Sequence, residues 1–336
     1  MEVKRASITA VGHYVPERIL TNADLEKIVD TNDEWIRTRT GIRERHILDQ
    51  GATSDLAAKA VQRLLANRGI SADEIELIIV ATITPDMILP ATACVVQEKI
   101  GAKKAWGFDL NAACSGFLYA VSVGARFVET GVHSKVVVVG ADKMSSITDY
   151  SDRNTCVLFG DAAGAVLLEP TQEKDYGIID QCLYSDGAGG TFLHIKAGGS
   201  LYPATHETVD KKMHYVYQDG KSVFKSAVVG MADVAAEILE RNNLHGCDIA
   251  WLVPHQANLR IIDATAQRMG LDSNKVMVNI DRYGNTTAAT IPLCLSEWWQ
   301  SGKLQRGQNI VLAAFGAGYT WGAMLVKWSL MNPGNN

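Results

Sequence analysis

The chain has 336 residues, of which 47% are hydrophobic and 21% are charged, and its formal net charge is -5. This length allows a large core and about two domains, and the composition is that of an ordinary globular protein. The negative charge argues against a generally basic, nucleic-acid-binding protein, although a local basic patch remains compatible with it.

Strands and helices alternate in the first half of the chain. Apolar runs predict strands, and the run from 77 to 81 is apolar throughout, as expected for a strand covered on both faces. Helices are predicted where apolar residues recur every three or four positions between a cap and a glycine. The predicted strands span 6–12, 77–81, 105–110, 135–141, 156–160 and 163–168, and the predicted helices span 23–29, 53–68, 90–101 and 117–128.

A polar, charged linker at 170–175 leads into a second half with a similar alternation. Residues 187–208 are rich in glycine and small residues, which predicts a long irregular excursion. The predicted strands of this half span 249–253, 275–280, 309–315 and 323–328, and the predicted helices span 224–239, 260–269 and 285–299. The two halves repeat the order of elements without repeating residues, so the pattern predicts an α/β fold built from a duplicated unit.

The sequence carries no membrane, export or disulfide signal. No apolar run reaches the roughly 20 residues of a membrane span, and residues 1–5 lead directly into an apolar strand. The six cysteines form no CxxC pair and have no histidine at zinc-finger spacing; they are Cys94, Cys114, Cys156, Cys182, Cys247 and Cys294. We therefore expect a soluble protein of the reducing cytoplasm, with no metal, membrane or nucleic-acid partner.

The stretch 111–116 reads Asn-Ala-Ala-Cys-Ser-Gly and lies between a predicted strand and a predicted helix. A cysteine that opens a helix lies near unpaired backbone amides and the positive end of the helix dipole, which lower its pKa and improve it as a nucleophile. The small neighbours of Cys114 would let a substrate approach the sulfur. The alternative is a small core cysteine in a tight turn.

Four arginines and Trp35 lie within the eleven residues 35–45. Guanidinium groups suit phosphates, and an indole can stack on a flat base. This segment is therefore a candidate contact for a nucleotide-bearing ligand. The alternative is a solvated helix end with local ion pairs.

Three further segments could assist a thiol nucleophile, which needs a tuning partner and stabilisation of an oxyanion. His255 follows a buried strand, at the end that faces the ligand crevice in α/β sheets. Asn285 lies in a turn that starts a helix, and the turn 316–318 could present a free backbone N–H. Taken singly, His255 is better explained as a core or surface histidine and Asn285 as an N-cap, and the alternative for the glycine turn is a tight hairpin.

The motifs together resemble the β-ketoacyl-[acyl-carrier-protein] synthase III family, in its order and with its separations. They are 113–116 (ACSG), 254–258 (PHQAN), 284–286 (GNT) and 315–322 (FGAGYTWG), supported by 38–45 (TRTGIRER) and 159–164 (FGDAAG). The resemblance covers nearly the whole chain. It implies the thiolase fold, in which two duplicated five-stranded halves, 1–172 and 173–336, pack as α-β-α-β-α layers. It also implies a homodimer.

The reaction implied by the resemblance is the first condensation of fatty acid synthesis. An acyl-CoA primer acylates Cys114, and malonyl-ACP, the malonyl thioester of acyl carrier protein (ACP), then loses CO2. His255 and Asn285 would stabilise the resulting enolate, which attacks the acyl group to give 3-oxoacyl-ACP. The N–H groups of Cys114 and Ala317 would form the oxyanion hole, although the family usually has glycine at position 317. No cofactor is implied, since acyl-CoA is a substrate.

Binding residues are also implied by the resemblance. Leu89 stands where some members have phenylalanine, which suggests room for a branched or longer primer. The basic patch for ACP is weaker by one charge, because Gln267 precedes Arg268 where a lysine pair is usual. The residues implied for the substrate and CoA are Trp35, Arg39, Leu89, Arg153, Phe224, Asn258 and Phe315, and those implied for ACP are Lys225, Gln256, Arg260 and Arg268.

Alternatives within and outside this class remain open. A polyketide-type condensing enzyme of the same fold would use similar residues. A thiolase would need a second cysteine near the glycine turn, and residues 315–322 contain none. A cysteine-dependent thioesterase or peptidase would use the asparagine to orient the histidine. A non-catalytic acyl or carrier-protein binder is disfavoured by the intact Cys114, His255 and Asn285.

Overall fold

The computed structural model describes residues 4–332 and contains thirteen strands and ten α-helices in that range. The strands are β1 (Arg5–Tyr14), β2 (Arg18–Thr21), β3 (Glu44–Ile47), β4 (Leu77–Ala81), β5 (Trp106–Leu110), β6 (Val136–Asp142), β7 (Ala162–Thr171), β8 (Gly177–Ser185), β9 (Leu193–Ile195), β10 (Val216–Gln218), β11 (Trp251–Pro254), β12 (Asn309–Gly316) and β13 (Thr320–Lys327). The helices are α1 (Asn22–Leu25), α2 (Asp33–Thr40), α3 (Thr53–Arg68), α4 (Thr92–Ile100), α5 (Gly116–Glu129), α6 (His206–Asp210), α7 (Gly220–Arg241), α8 (Leu259–Arg268), α9 (Ile280–Tyr283) and α10 (Thr290–Gln300).

The first sheet has five strands in the order β1-β7-β6-β4-β5. Strand β4 lies parallel to both of its neighbours, whereas β7 is antiparallel to β6 and β1. Alternate residues of β4 enter two different cores: Leu77 and Ile79 pack towards α5, and Ile78 and Val80 pack towards α3 and α4. This double coverage explains why β4 is apolar at every position.

The second sheet has four strands in the order β11-β12-β13-β8. Ile310 and Leu312 of β12 share a core with α5 and α10, while Val311 and Ala313 face the core formed by α7 and α8. Two sheets thus enclose a central helical layer and carry helices on their outer faces. These α-β-α-β-α layers are the predicted thiolase fold.

Two predicted strands are wrong. Residues 156–160 form turns, with a single bridge from Phe159 to Asn285. Residues 275–280 make only the bridge from Val276 to Leu252, so the second sheet has four strands where five were expected. The first predicted helix is also shorter than expected, since α1 ends at Leu25.

The predicted linker at 170–175 overlaps the end of β7, which continues to Thr171. Every strand of the first sheet lies before residue 172, and every strand of the second lies after 173. The division into domains 1–172 and 173–336 stays a prediction. Between residues 4 and 332, none of the helices has the length and apolar character needed to cross a membrane.

Candidate active site

Cys114 lies in a 3₁₀ turn, Ala113–Ser115, between the end of β5 and the start of α5. The preceding Ala113 has a φ of 47°, a left-handed conformation that a residue with a side chain rarely adopts. The surrounding hydrogen bonds hold this turn. Ser115 Oγ donates to the carbonyl of Thr320 at 3.0 Å, and Thr320 Oγ1 lies within hydrogen-bond distance of the carbonyls of Ala112, at 2.9 Å, and Ala317, at 3.0 Å. The nucleophile turn is therefore tied to the start of β13.

The glycine turn after β12 approaches Cys114 closely. A Cβ at Gly316 would lie 2.7 Å from the Cys114 nitrogen and 3.1 Å from its Cβ, so this contact requires glycine. The backbone N–H of Ala317 forms no backbone hydrogen bond within residues 4–332. The two N–H groups of Cys114 and Ala317 are thus the candidate oxyanion hole.

His255 follows β11 and is only 1% exposed. Its backbone N–H donates to the carbonyl of Ala313 at 2.7 Å, and its ring Nδ1 lies 2.8 Å from Thr290 Oγ1. The other ring nitrogen, Nε2, has no hydrogen-bond partner in the described part of the chain. Burial lowers the pKa of His255 to about 3, so the ring is neutral at physiological pH.

Asn285 is held by the segment that was wrongly predicted as a strand. Its backbone N–H donates to the carbonyl of Leu158, and its own carbonyl accepts from the N–H of Gly160. Its side-chain Oδ1 accepts from the backbone N–H of Thr287 at 2.9 Å. Because a backbone N–H can only donate, this contact assigns the amide oxygen and leaves the Nδ2 hydrogens for another acceptor.

A single cavity of about 880 Å³ contains all three side chains in its wall. Its remaining lining includes the apolar residues Met144 and Val216, which the sequence did not single out, and Phe159, which belongs to the motif 159–164 but was given no role. The predicted residues in the wall are Trp35, Arg39, Cys114, Phe224, His255, Asn258, Arg260, Asn285, Phe315 and Ala317. The structure therefore brings these ten positions together, although their roles stay predictions.

The Cys114 thiol differs from the sequence prediction in its acidity. Burial, which is the larger cause, and the nearby Asp142 together raise the pKa of Cys114 to about 12. The prediction of a lowered pKa was wrong because it considered only the helix end, whereas the loss of hydration at this site has the larger effect. The resting cysteine is a neutral thiol.

Asp142, at the end of β6, is a buried carboxyl group that the sequence analysis missed. It accepts hydrogen bonds from the hydroxyl groups of Thr82, Thr84 and Thr287 and from the N–H of Ile83. Burial raises the pKa of Asp142, although these donors oppose the rise. An acidic residue directly after the apolar run 136–141 was the available signal. The contact with Thr287 joins the first sheet to the loop of Asn285.

The cavity mouth carries the predicted aromatic and basic residues. The guanidinium carbons of Arg39 and Arg153 lie 4.5 Å and 4.4 Å from the centre of the Trp35 ring. Asn258 Nδ2 donates to the carbonyl of Arg39 at 2.8 Å. Arg153 itself lies outside the cavity wall, and its contact with the site is the packing of its guanidinium on the Trp35 ring. Arg45, from the same basic segment, has a different role.

Arg45 is fully buried and serves the fold. Its guanidinium donates to the carbonyls of Leu20 and Val157 and to Asn22 Oδ1. It therefore cannot contact a phosphate, and the phosphate-binding prediction does not extend to all four arginines.

Two predicted binding residues need correction. Gln256 is completely buried; it donates to the carbonyls of Pro254 and Met277 and accepts from two backbone N–H groups at 279 and 280. Its side chain cannot reach a carrier protein. Leu89 is 83% exposed and lies outside the wall of this chain's cavity, so it does not line the pocket of its own chain.

The other residues predicted for ACP lie on the surface. Lys225, Arg260 and Arg268 are exposed. Arg260 lies over the Phe224 ring, 4.4 Å from its centre, and Arg268 forms an ion pair with Asp233 at 3.1 Å. Within the described ranges, no group of three or more histidine, cysteine or acidic residues could hold a metal ion.

The layered fold and the cavity that joins Cys114, His255 and Asn285 define a thiolase-fold acyltransferase. A family model for 3-oxoacyl-[acyl-carrier-protein] synthase III matches residues 108–187, and the model for its C terminus matches 239–328. The β-ketoacyl-[acyl-carrier-protein] synthase III of Chlorobium luteolum is 60% identical over 96% of this chain and 99% of its own length. The chain belongs to the 3-oxoacyl-[acyl-carrier-protein] synthase III family.

Solved structures agree with this assignment. The 3-oxoacyl-[acyl-carrier-protein] synthase III of Aquifex aeolicus is 42% identical and has a TM-score of 0.88. The match covers 96% of this chain and 100% of that one. The enzyme of the same name from Pseudomonas aeruginosa is 38% identical, with a TM-score of 0.90 and coverage of 98% and 100%. The priming β-ketosynthase from the R1128 polyketide pathway is 33% identical, with a TM-score of 0.90 and coverage of 98% and 97%.

Proposed function

We propose that this acyltransferase condenses an acyl-CoA primer with malonyl-ACP to give 3-oxoacyl-ACP, through an acyl-Cys114 intermediate. The observation that carries the proposal is the arrangement of one thiol, one neutral imidazole and one oriented amide in the wall of a single cavity. A thiol can hold an acyl group, and two neutral donors can stabilise an enolate without acting as a strong base.

In the first step the Cys114 sulfur attacks the thioester carbon of the primer. The carbonyl oxygen becomes an oxyanion and accepts from the N–H groups of Cys114 and Ala317. When the tetrahedral intermediate collapses, the bond to the CoA sulfur breaks, and that sulfur leaves with the proton that the cysteine lost. Since losing one donor of an oxyanion hole typically slows such a reaction by about 10² to 10³, both amides contribute to the rate.

In the second step the malonyl carboxylate leaves as CO2, and its bonding electrons move onto the thioester oxygen. His255 Nε2–H and Asn285 Nδ2–H donate to this oxygen as it gains charge. The α-carbon then attacks the acyl-Cys114 carbonyl, and the cysteine sulfur is expelled as a thiolate, which takes up a proton from solvent to restore the resting thiol. A neutral histidine suits this role, because the step needs a hydrogen-bond donor and no proton abstraction.

The cavity walls fit the two ends of an acyl-CoA. Met144, Phe159 and Val216 offer an apolar surface for the acyl chain, and the volume of about 880 Å³ is that of a site for an elongated small molecule. At the mouth, Trp35 offers a face for the adenine ring, and Arg39 and Arg153 offer charge for phosphates. Phe224, Asn258 and Phe315 would contact the substrate between these ends.

We also propose that Lys225, Arg260 and Arg268 bind the acidic carrier protein. All three are exposed, whereas the buried Gln256 cannot contact a partner. Arg268 also pairs with Asp233 at an exposed site, and such a pair contributes little stability, so its guanidinium remains available to a partner. Added salt should therefore weaken the binding of the carrier protein.

A homodimer is proposed from the exposed edge of the first sheet. β5 ends that sheet, and its Trp106 is 47% exposed. Ile88 and Leu89, in a nearby stretch of the chain, are 87% and 83% exposed, and such apolar residues are usually covered by a partner. If Leu89 shapes a primer pocket, it must do so in the other subunit.

The thioesterase alternative is disfavoured by one observation. In a Cys-His-Asn hydrolase the asparagine orients the histidine. Here the oxygen of Asn285 accepts from Thr287, and the histidine ring contacts Thr290. The polyketide alternative shares the fold. Identity of 60% to the β-ketoacyl-[acyl-carrier-protein] synthase III of Chlorobium luteolum, against 33% to the polyketide priming enzyme, favours the fatty acid reaction.

We further propose that the enzyme acts in the cytoplasm and needs no cofactor. Each step above uses only groups of the protein and its two thioester substrates. All six cysteines are free, and Cys94 and Cys247 are exposed thiols, which is typical of a reducing compartment.

Half-reactions measured separately test this mechanism. Cys114→Ala should abolish transfer of the acyl group to the protein, whereas His255→Ala and Asn285→Ala should retain that transfer and lose release of CO2 from malonyl-ACP. Product formation by the wild type without CO2 release would contradict a decarboxylative condensation and point to a thiolase or hydrolase.

A further inference from the structure

Thr290 is the hydrogen-bond partner of the His255 ring. It is the first residue of α10 and is only 2% exposed. Its hydroxyl oxygen lies 2.8 Å from His255 Nδ1 and 3.0 Å from the carbonyl oxygen of Thr287. The single hydroxyl hydrogen can serve only one of these two neighbours, and the choice decides which nitrogen of the neutral ring carries the proton.

The Thr287 carbonyl does not need the hydroxyl hydrogen. It already accepts a hydrogen bond from the backbone N–H of Thr290. The imidazole Nδ1, by contrast, is buried, and Thr290 Oγ1 is its hydrogen-bond partner in the described structure. Donation from the hydroxyl to Nδ1 leaves Nδ1 and the Thr287 carbonyl with one donor each and places the ring proton on Nε2, whereas the reverse arrangement gives the carbonyl two donors and leaves Nε2 without a hydrogen.

The ring nitrogen of His255 that carries the proton matters for the proposed decarboxylation. An enolate oxygen accepts hydrogen bonds, so a nitrogen without hydrogen at that position would repel it. Asn285 presents its Nδ2–H to the cavity because Thr287 holds its oxygen. We infer that Thr290 is a positioning residue whose hydroxyl donates to His255 Nδ1 and thereby keeps the ring proton on Nε2, facing the malonyl thioester oxygen. This inference rests on the proposed function.

The surrounding contacts hold Thr290 in place. Thr287 Oγ1 and the N–H of Ala288 donate to Asp142, which belongs to the same sheet as the strand that leads to Cys114. Thr287 has a φ of 49°, so this turn is fixed in a conformation that residues with side chains rarely adopt. The loop therefore fixes Asn285 and Thr290 together, relative to the nucleophile.

Paired substitutions at Thr290 test the inference. Thr290→Val keeps the shape of the side chain and removes the hydroxyl, whereas Thr290→Ser keeps the hydroxyl. We expect Thr290→Val to slow CO2 release from malonyl-ACP by about 10-fold to 100-fold, by analogy with other partners that fix a histidine tautomer. The rate of acyl transfer to Cys114 should stay within about threefold, and Thr290→Ser should recover most of the CO2 release.

A spectroscopic measurement reads the proton directly and needs no substrate. In enzyme labelled with ¹⁵N-histidine, the His255 signals can be assigned by their loss in His255→Ala, among the eight histidines of the chain. We expect wild type and Thr290→Ser to carry the proton on Nε2, and Thr290→Val to give a mixture of both neutral forms.

A wild-type ring protonated on Nδ1 would overturn the inference, as would a Thr290→Val enzyme that releases CO2 at the wild-type rate. These results are distinct from failure of the proposed function. If the wild type releases no CO2 from malonyl-ACP but its ring carries the proton on Nε2, the decarboxylation is wrong, and the role of Thr290 in placing the proton stands.

Discussion

Acid should destabilise the wild-type protein more than a His255→Gln variant. Burial lowers the pKa of His255 to about 3 in the folded protein, against 6.5 for an exposed histidine. Below pH 6.5 His255 is protonated in the unfolded chain, whereas in the folded chain it stays neutral until the pH approaches 3. Stability from the neutral ring is therefore fully present above pH 6.5 and is lost as the pH falls through this window.

The magnitude follows from the width of the window. At pH 4.5, two units below the unfolded pKa, the wild type should lose about 2.7 kcal/mol of unfolding free energy through His255, because one unit corresponds to about 1.36 kcal/mol. Urea unfolding followed by circular dichroism, at pH 7.5 and pH 4.5 and at one protein concentration, measures this loss for both proteins. Other titrating groups are shared, so the difference between the two losses isolates His255.

Glutamine is the matched control, because it is polar, does not titrate and can still contact Thr290. Equal losses of unfolding free energy in the two proteins would refute the reasoning. They would mean that His255 in the folded protein is protonated near pH 6.5, as an exposed histidine is. The enolate-stabilising role of a neutral ring would then need another explanation.

Three further predictions concern the nucleophile and the cavity mouth. Gly316→Ala would place a Cβ 2.7 Å from the Cys114 nitrogen. We therefore expect the unfolding free energy, measured with urea, to fall by about 1 to 3 kcal/mol, and acylation to be slower. An unchanged acylation rate would contradict the close contact. The rate at which iodoacetamide alkylates Cys114, measured by peptide mass spectrometry, should still increase between pH 8 and pH 10, because burial raises the thiol pKa to about 12. A rate that no longer increases above pH 8 would mean that the resting cysteine is a thiolate. Trp35→Ala should raise KM for acyl-CoA by about 10-fold to 100-fold, with kcat nearly unchanged, if stacking on adenine contributes about 1 to 3 kcal/mol; an unchanged KM would remove Trp35 from the CoA site.

Local patterns predicted the elements whose cause is local. The run 77–81 is apolar at every position and coincides with β4, because two helical layers cover it. The helix predicted to end before Gly69 does so, because that glycine takes the left-handed conformation that closes the helix.

The wrong predictions have non-local causes. Residues 156–160 look like a strand because Val157 and Phe159 are apolar, but they are buried as turns against Arg45 and Asn285, far away in sequence. Residues 275–280 approach β11 at one bridge only. Tertiary contacts decide such segments, and periodicity cannot distinguish them from strands.

Some features of the candidate site could likewise be predicted from local motifs, whereas others depend on contacts between distant segments. Motifs were sufficient to select Cys114, His255, Asn285 and the glycine turn as neighbours in one cavity, and their roles remain predictions. The acidity of Cys114 could not be predicted, because it depends on burial and on Asp142. The buried state of Gln256, which follows His255 directly, was equally hidden, since side chains at a strand end point in different directions.

Intact-mass analysis after incubation with a panel of acyl-CoAs tests the central claim most directly. The wild type should gain the mass of one acyl group for each accepted primer, and Cys114→Ala should gain none. The panel would also identify the preferred primer. An acyl group on the Cys114→Ala variant, or a wild-type protein that no acyl-CoA modifies, would contradict the assignment of Cys114 as the acyl acceptor.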